Sequence, residues 1–322
     1  MIVTFTANPS IDRTMQLDGE LRRGQFHRAN QVSGQAAGKG INVATVLRDA
    51  GVPVMALVAF ADETFLGIGH DQHGVDPIAA LTRPDLRVRT NITITEPDGT
   101  TTKVNEPGPQ LELADIDSIT ASLLHAARQF RARWVVLSGS LPPGAPADWY
   151  VRLADALRDA GCAVAVDASE GPLLAVLRDL EHHPVDLLKP NVDELAQALG
   201  REPSDLQRLA DQGDWTRLAS QAAILQQRGV GTVLVTLGPA GALLVNADGA
   251  WQADALPIEV RSTVGAGDAT LAGYILAARA ELTPEQCLAY AMAHGAAATA
   301  SPASVLGRPG DDQIAAVAVR RL

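Results

Sequence analysis

A carboxylate that follows a glycine pair at the start of an apolar helix is the sharpest chemical signal in this chain: Ser262-Thr263-Val264-Gly265-Ala266-Gly267-Asp268-Ala269. The glycines let the backbone approach an anion closely, and amides at a helix start point outward with the positive end of the dipole. That is a cradle for phosphate. Asp268, one residue on, would stand beside whatever oxygen attacks a phosphoryl group and take the proton of that hydroxyl. The plainer alternative is a tight turn with Thr263 or Asp268 capping the helix.

A second glycine-bearing helix start, Ala36-Ala37-Gly38-Lys39-Gly40-Ile41-Asn42, is not a Walker A loop: Ser33 stands at the first glycine position and Gly40 follows the lysine. Nor is it a dinucleotide fingerprint, because Val43 stands three residues after Gly40. Its small residues with Lys39 and Asn42 can hold sugar hydroxyls or a sugar phosphate; a plain glycine-initiated helix is the alternative. In Asn8-Pro-Ser-Ile-Asp12, directly after the first apolar run, Asp12 can accept from two sugar hydroxyls or serve as a turn residue. In Leu188-Lys-Pro-Asn-Val-Asp-Glu194, Asn191 and Glu194 share one helix face, suited either to capping or to magnesium waters and nucleotide phosphates. Thr236-Leu-Gly-Pro-Ala-Gly241 is a loop against a nucleotide, or a hairpin turn.

Such residues need a scaffold that brings distant segments together. Short apolar runs at Ile2–Thr6, Val54–Phe60, Trp134–Ser138, Ala163–Asp167, Asp186–Leu188 and Thr232–Leu237 read as buried strands. Helix-period segments alternate with them at Asn42–Asp49, Ile116–Arg128, Ala147–Arg158, Val192–Leu199 and Leu218–Arg228. This rhythm predicts an α/β fold with a mostly parallel, doubly covered sheet and ligands at the carboxyl ends of its strands. Asp12–Val32 and Leu86–Val104 break it, alternating polar and apolar residues around a turn at Pro97-Asp98-Gly99, and predict a small antiparallel sheet outside the core that closes over a ligand or pairs with a second subunit. Strands are expected at Leu243–Asn246 and Gly249–Ala253, then helices at Ala266–Ala280 and Pro284–Ala300 and an amphipathic closing helix over Asp311–Leu322. Phe65–Pro77 has no clean helical period.

The 322 residues suit one large domain, 1–322, with a small appendage. A net charge of -11 argues against a nucleic-acid partner, so a phosphate-bearing ligand would need local basic residues. Cys162 and Cys287 lack any disulfide or zinc spacing, and no run is long and apolar enough for a membrane span, so a cytoplasmic protein is expected.

Taken in order, Asn8-Pro-Ser-Ile-Asp, Ala37-Gly-Lys-Gly-Ile-Asn-Val-Ala, Ser138-Gly-Ser-Leu-Pro, Lys189-Pro-Asn-x-x-Glu, Thr236-Leu-Gly-x-x-Gly and Ser262-Thr-Val-Gly-Ala-Gly-Asp resemble the phosphosugar branch of the ribokinase-like (PfkB) carbohydrate kinases. The likeness covers nearly the whole chain and is greatest to the 1-phosphofructokinases, with tagatose-6-phosphate kinases and the minor 6-phosphofructokinase nearby. It implies a three-layer α/β/α sandwich with a β-sheet lid, formed by about residues 12–32 and 86–104 and often shared across a homodimer. Asp268 would be the base, and the amides of Gly265, Ala266 and Gly267 the anion hole. Asp12, Gly38, Lys39, Asn42 and Ser138 would hold the sugar, and Arg89 and Lys103 on the lid would meet its existing phosphate. ATP would lie along Lys189, Asn191, Thr236, Gly238, Gly241 and Thr263, with Ala297 and Ser301 near the adenine. Glu194 would order magnesium through water, and the need for potassium is left open. Ala37 departs from the glycine, and Ala269 from the serine, that many relatives carry; neither change removes a charge.

The resemblance implies phosphorylation of D-fructose 1-phosphate to fructose 1,6-bisphosphate, with tagatose 6-phosphate or fructose 6-phosphate as alternative acceptors. A nicotinamide-dependent oxidoreductase would need a glycine fingerprint after the first strand, where Thr6-Ala-Asn-Pro-Ser stands instead. A non-catalytic sugar-phosphate sensor would be expected to have lost its base, and Asp268 is present.

Overall fold

The computed structural model describes residues 1–73, 75–302 and 305–322. The first half of the chain forms β1 (Ile2–Thr6), β2 (Ser10–Gln16), β3 (Gln31–Ala37), α1 (Lys39–Asp49), β4 (Val54–Phe60), α2 (Glu63–His73), β5 (Ile78–Leu81), β6 (Arg89–Thr95), β7 (Thr101–Asn105), α3 (Leu113–Gln129) and β8 (Trp134–Ser138). The second half forms α4 (Trp149–Asp159), β9 (Ala163–Asp167), α5 (Glu170–Arg178), β10 (Val185–Leu188), α6 (Val192–Leu199), α7 (Pro203–Asp211) and α8 (Trp215–Gln227). It ends with β11 (Val230–Thr236), β12 (Ala242–Asn246), β13 (Gly249–Ala253), α9 (Ala266–Arg279), α10 (Pro284–Thr299), α11 (Asp311–Ala315) and β14 (Val319–Arg321).

Ten strands form the main sheet in the order β14-β13-β12-β11-β10-β9-β8-β1-β4-β5. Pairing is parallel from β5 to β11 and antiparallel from β11 to β14. Because side chains alternate across a strand, Val135 and Leu137 enter one core with α3, α4 and α8, while Val136 enters another with α1, α9 and α10. These two cores make the three layers. The crossovers return every parallel strand in the same direction, so the carboxyl ends of β1, β8, β9, β10 and β11 all open on one side.

A separate four-stranded sheet, in the order β3-β2-β6-β7, stands beside that side. Its outer pairs are antiparallel, but its central pair, β2 and β6, is parallel, with Ser10 opposite Arg89 and Asp12 opposite Asn91. Residues 17–30 are irregular, so the strands begin and end differently from the 12–32 and 86–104 bounds expected from alternation.

Two expectations need correction. The segment that lacks a helical period holds most of α2, which starts at Glu63 and is capped by Asp62 Oδ1 accepting from the Phe65 N–H at 2.9 Å. Gly69 lies where a Cβ would come within 3.2 Å of Pro77 Cγ and 3.6 Å of Ala36 Cβ, so part of this helix's packing face is backbone that a hydrophobic pattern does not count. Gly74 of that segment lies outside the described residues. The tail is helical only over α11; β14 then pairs antiparallel with β13, satisfying the open edge of the sheet, and the Arg321 guanidinium sits 5.5 Å from the Trp251 ring.

Helices α9 and α10 pack backbone to backbone. A Cβ on Gly273 would collide with Tyr290 O, and one on Gly295 with Thr270 Oγ1. Alanine in a helix ordinarily stabilises by about 0.5–1 kcal/mol over glycine. Here the sign should reverse: Gly273→Ala should lower the denaturant midpoint, corresponding to a loss of roughly 1–3 kcal/mol.

Candidate active site

The sheet's open side, the N-terminus of α1, Val264 just ahead of α9, and the small sheet line a cavity of about 410 Å³, while residues 265–268 lie outside its lining. Of the expected sugar-binding residues, Asp12, Gly38, Lys39, Asn42 and Arg89 line it. The α1 end approaches β1 so closely that Cβ atoms at Gly38 and Gly40 would each come within 2.6 Å of the Thr6 side chain. Glycine at both positions therefore sets how deeply Lys39 and Asn42 reach into the floor.

Gly265 turns into α9 through the left-handed region, φ 76°, at a point where a Cβ would also meet Leu306 Cδ2 at 2.6 Å. The Ala266 N–H reaches Thr263 O only at 3.4 Å, and the Ala269 N–H starts the helical ladder on Gly265 O at 2.8 Å. The amides between them are among those a helix leaves without an intrahelical acceptor. Lys189 Nζ lies just above, 3.2 Å from where a Gly267 Cβ would stand. Asp268, in the first turn, is 7% exposed and accepts on Oδ2 from Asn42 Nδ2 at 2.7 Å.

Asp167, which carries no motif, ends β9 in the middle of this cluster. It is 1% exposed; its Oδ1 is 3.1 Å from Lys39 Nζ and 3.4 Å from Lys189 Nζ, and its Oδ2 has no partner. Burial alone would raise its pKa, but the Lys189 and Lys39 ammoniums outweigh burial and hold it below the ordinary carboxylate range. Lys39, drawn chiefly by Asp167 and also by Asp268, is held well above the usual lysine value. Burial first, and the Asp167 charge second, push Asp268 up to about 6 against the pull of Lys39, Asn42 and Lys189. The available sequence signal was positional: Asp167 closes a strand on the side where ligands gather.

The remaining expected residues divide. Ser138 is fully buried, its hydroxyl without a partner and its carbonyl accepting from Tyr150 Oη at 2.8 Å. Because the strand turns its side chain inward there, Gly139 and Ser140 make the cavity wall in its place. Arg89 is tied to the Glu106 carbonyl at 3.0 Å and to the Asn8 carbonyl at 3.3 Å, with Ser140 Oγ at 3.5 Å. Its Nε is buried without a partner, and burial pulls its pKa down while Asp12 and Glu106 oppose that. Lys103 pairs with Thr93, on the same face of the small sheet as Arg89 but about 13 Å farther along, and it does not line the cavity.

On the other side of Lys189, Asn191 and Glu194 cap each other: the Glu194 N–H donates to Asn191 Oδ1 at 2.8 Å and the Asn191 N–H to Glu194 Oε2 at 2.9 Å. Burial pushes the Glu194 carboxyl up. Thr236 bridges to Asn191, and its N–H donates to Pro190 O at 3.0 Å. Gly238 (φ 55°) and Gly241 (φ 111°) bound the turn that follows; a Cβ at Gly241 would collide with Ala253 O. The loop before the cradle is fastened to the end of α10, with the Arg261 and Ser262 N–H groups donating to Thr299 O at 3.0 and 3.1 Å. Thr263 follows directly on this anchor, and at the end of α10 Ser301 donates to Ala297 O at 2.9 Å. Among the described residues no group of three or more His, Cys, Asp or Glu side chains is gathered for a metal.

The model of the pfkB family carbohydrate kinases matches residues 6–309. A 1-phosphofructokinase of Xanthomonas campestris is 36% identical over 302 residues, spanning 90% of this chain and 88% of that protein. A 1-phosphofructokinase of Escherichia coli is 32% identical over 330 residues, spanning 99% and 96%. Among solved structures, phosphofructokinase-2 of Escherichia coli in complex with potassium has a TM-score of 0.80 at 25% identity, covering 98% of this chain and 96% of that one. Together with a carboxylate beside an unpaired helix start, this agreement along almost the whole length means that the chain belongs to the pfkB family of carbohydrate kinases, and that it is a sugar-phosphate kinase.

Proposed function

We propose that this kinase transfers the terminal phosphoryl group of ATP to a hydroxyl of a ketohexose phosphate, D-fructose 1-phosphate foremost, yielding fructose 1,6-bisphosphate. The observation that carries this reading is the contact between Asp268, in the first turn of α9, and Asn42, which lines the cavity together with Arg89 and Lys39. The names of the similar 1-phosphofructokinases favour fructose 1-phosphate over tagatose 6-phosphate and fructose 6-phosphate.

In this mechanism Asn42 holds one oxygen of Asp268 and leaves the other to take the acceptor's proton. The amides of Gly265, Ala266 and Gly267 meet the charge on the transferred group, and Lys39 and Lys189 add positive charge on either side. Asp12 accepts from a sugar hydroxyl, while Arg89 meets the phosphate already on the sugar. The donors available for magnesium are hard oxygens, Glu194 and the unpartnered Asp167 Oδ2, which suits an ion that keeps several waters and phosphate ligands. Glu194 and Asp167 would hold the ion through its waters, where it would supply charge neutralisation to the ATP phosphates. Potassium belongs to the same proposal, supported by its presence in a similar kinase.

The small sheet would act as a lid, excluding the water that competes as acceptor. Its cavity-facing residues alternate with Met15, Val32, Ile92, Ile94 and Val104 on the opposite face, where Val32 and Val104 are half exposed, 49% and 56%. That apolar face supports pairing with a second copy. Among the described residues no helix is long and apolar enough to cross a membrane, and the free, buried Cys162 and Cys287 support a place in the cytoplasm.

Purified protein assayed with ATP and each of the three sugar phosphates tests the activity; a tenfold or greater kcat/KM preference for another acceptor would overturn fructose 1-phosphate. Asp268→Asn should still bind sugar and ATP while kcat falls roughly 10²- to 10⁴-fold. Because the base must be deprotonated, wild-type kcat/KM should decline as pH falls through about 6. Asp167→Asn should move that limb to lower pH: the charge that raises Asp268 is gone, and both lysines are left unneutralised beside it. An unmoved limb would contradict the coupling. Arg89→Ala should raise KM for the sugar phosphate by roughly tenfold or more, with KM for ATP little changed.

A further inference from the structure

The small sheet has one feature that its motifs do not predict. Its register aligns four side chains in a single row across all four strands: Gln35 on β3 opposite Asp12 on β2, Asp12 opposite Asn91 on β6, and Asn91 opposite Asn105 on β7. Directly opposed residues share a face, and all four line the cavity. Neighbouring strands lie about 4.8 Å apart, so these polar ends are spaced on the scale of one sugar's hydroxyl groups.

The hydrogen bonds within the row are one-sided. Asp12 Oδ1 accepts from Ser10 Oγ at 2.8 Å and from Asn91 Nδ2 at 2.9 Å, so one carboxylate oxygen is occupied twice and the other is not bonded by these groups. The contact also fixes the amide: with Nδ2 on the carboxylate, the Asn91 Oδ1 must point away, and it is buried without a partner. A buried acceptor left unbonded calls for a donor, and Asn91 lines the cavity into which a ligand would bring one. The free oxygen of Asp12 and Asn91 Oδ1 are thus two acceptors on adjacent strands, suited to two neighbouring O–H groups.

We propose that the row Gln35–Asp12–Asn91–Asn105 reads the configuration of the acceptor's hydroxyl groups, with Asn91 the specificity-determining residue. The proposal rests on the sugar-phosphate kinase reading above. An acceptor inverted at one carbon would present C–H to Asn91 Oδ1 and leave it unbonded, and sites built to bond a hydroxyl reject ligands that cannot supply it. Asn105 and Gln35 extend the same face with amides that both donate and accept. Asn91 also positions Asp12, so losing it should affect binding of the sugar more than binding of ATP.

The test compares kcat/KM for D-fructose 1-phosphate with that for D-tagatose 1-phosphate and D-psicose 1-phosphate, which differ from it only by inversion at the fourth and third carbon. Wild type should prefer one ester by roughly tenfold or more over at least one epimer. Asn91→Leu, similar in size but unable to hydrogen-bond, should narrow that ratio to within about threefold, with KM for ATP held. A merely structural role would lower all three rates together and keep the ratio, which would overturn the proposal. Should Asn91→Leu fail to fold, Asn105→Ala on the exposed edge strand should narrow the ratio in the same direction, and an unchanged ratio would again overturn it. Wild type inactive on every ester would refute the activity itself and the row with it; a selective wild type with equally selective variants would refute the row alone.

Discussion

Two buried carboxylates and two ammonium groups, closely matched in charge, hold the centre of this molecule together. Asp167 and Asp268 cannot both stay ionised out of water without compensation, and Lys39 and Lys189 supply it, both reaching Asp167 Oδ1. The balance is unequal by construction. Asp167 touches both lysines and is held ionised, whereas Asp268 has a neutral amide, Asn42, as its direct partner and is pushed up to about 6. Asp167 is the fixed charge against which Asp268 is tuned.

The fold exists, chemically, to gather these four residues. Lys39 arrives at the start of α1, Asp167 at the end of β9, Lys189 just past β10 and Asp268 in the first turn of α9. Parallel strands with right-handed crossovers bring all of these ends to one side of the sheet. Close backbone contacts then set the depth: Gly38 and Gly40 against Thr6, Gly265 against Leu306, and Gly273 and Gly295 between α9 and α10. The small sheet contributes one wall of the cavity, and its parallel central pair sets Arg89 beside Ser10 and Asn91 beside Asp12.

Much of this was legible in the sequence, for identifiable reasons. Glycines beside Lys39, Asn42 and Asp268 announced two helix starts packed too closely for a Cβ. Alternating strand and helix periods announced the layers. Asp167 was not legible, since its meaning lies in contacts with Lys39, 128 positions away, and with Lys189, neither of which leaves a spacing signal. At Ser138 strand alternation turns the side chain inward and gives the wall to its neighbours, which the motif alone does not reveal. Helix α2 hid its packing in glycine backbone, and β14 is defined by the open edge of β13 rather than by its own three residues. The polar row of the small sheet depends on register, which a single strand's sequence does not carry.

The most direct measurement is a crystal structure of the protein with a non-hydrolysable ATP analogue, magnesium and D-fructose 1-phosphate. The terminal phosphate is expected against the amides of residues 265–268 and the acceptor hydroxyl on the Asp268 oxygen that Asn42 leaves free. A terminal phosphate bound away from that helix start, or an acceptor hydroxyl facing another base, would contradict it.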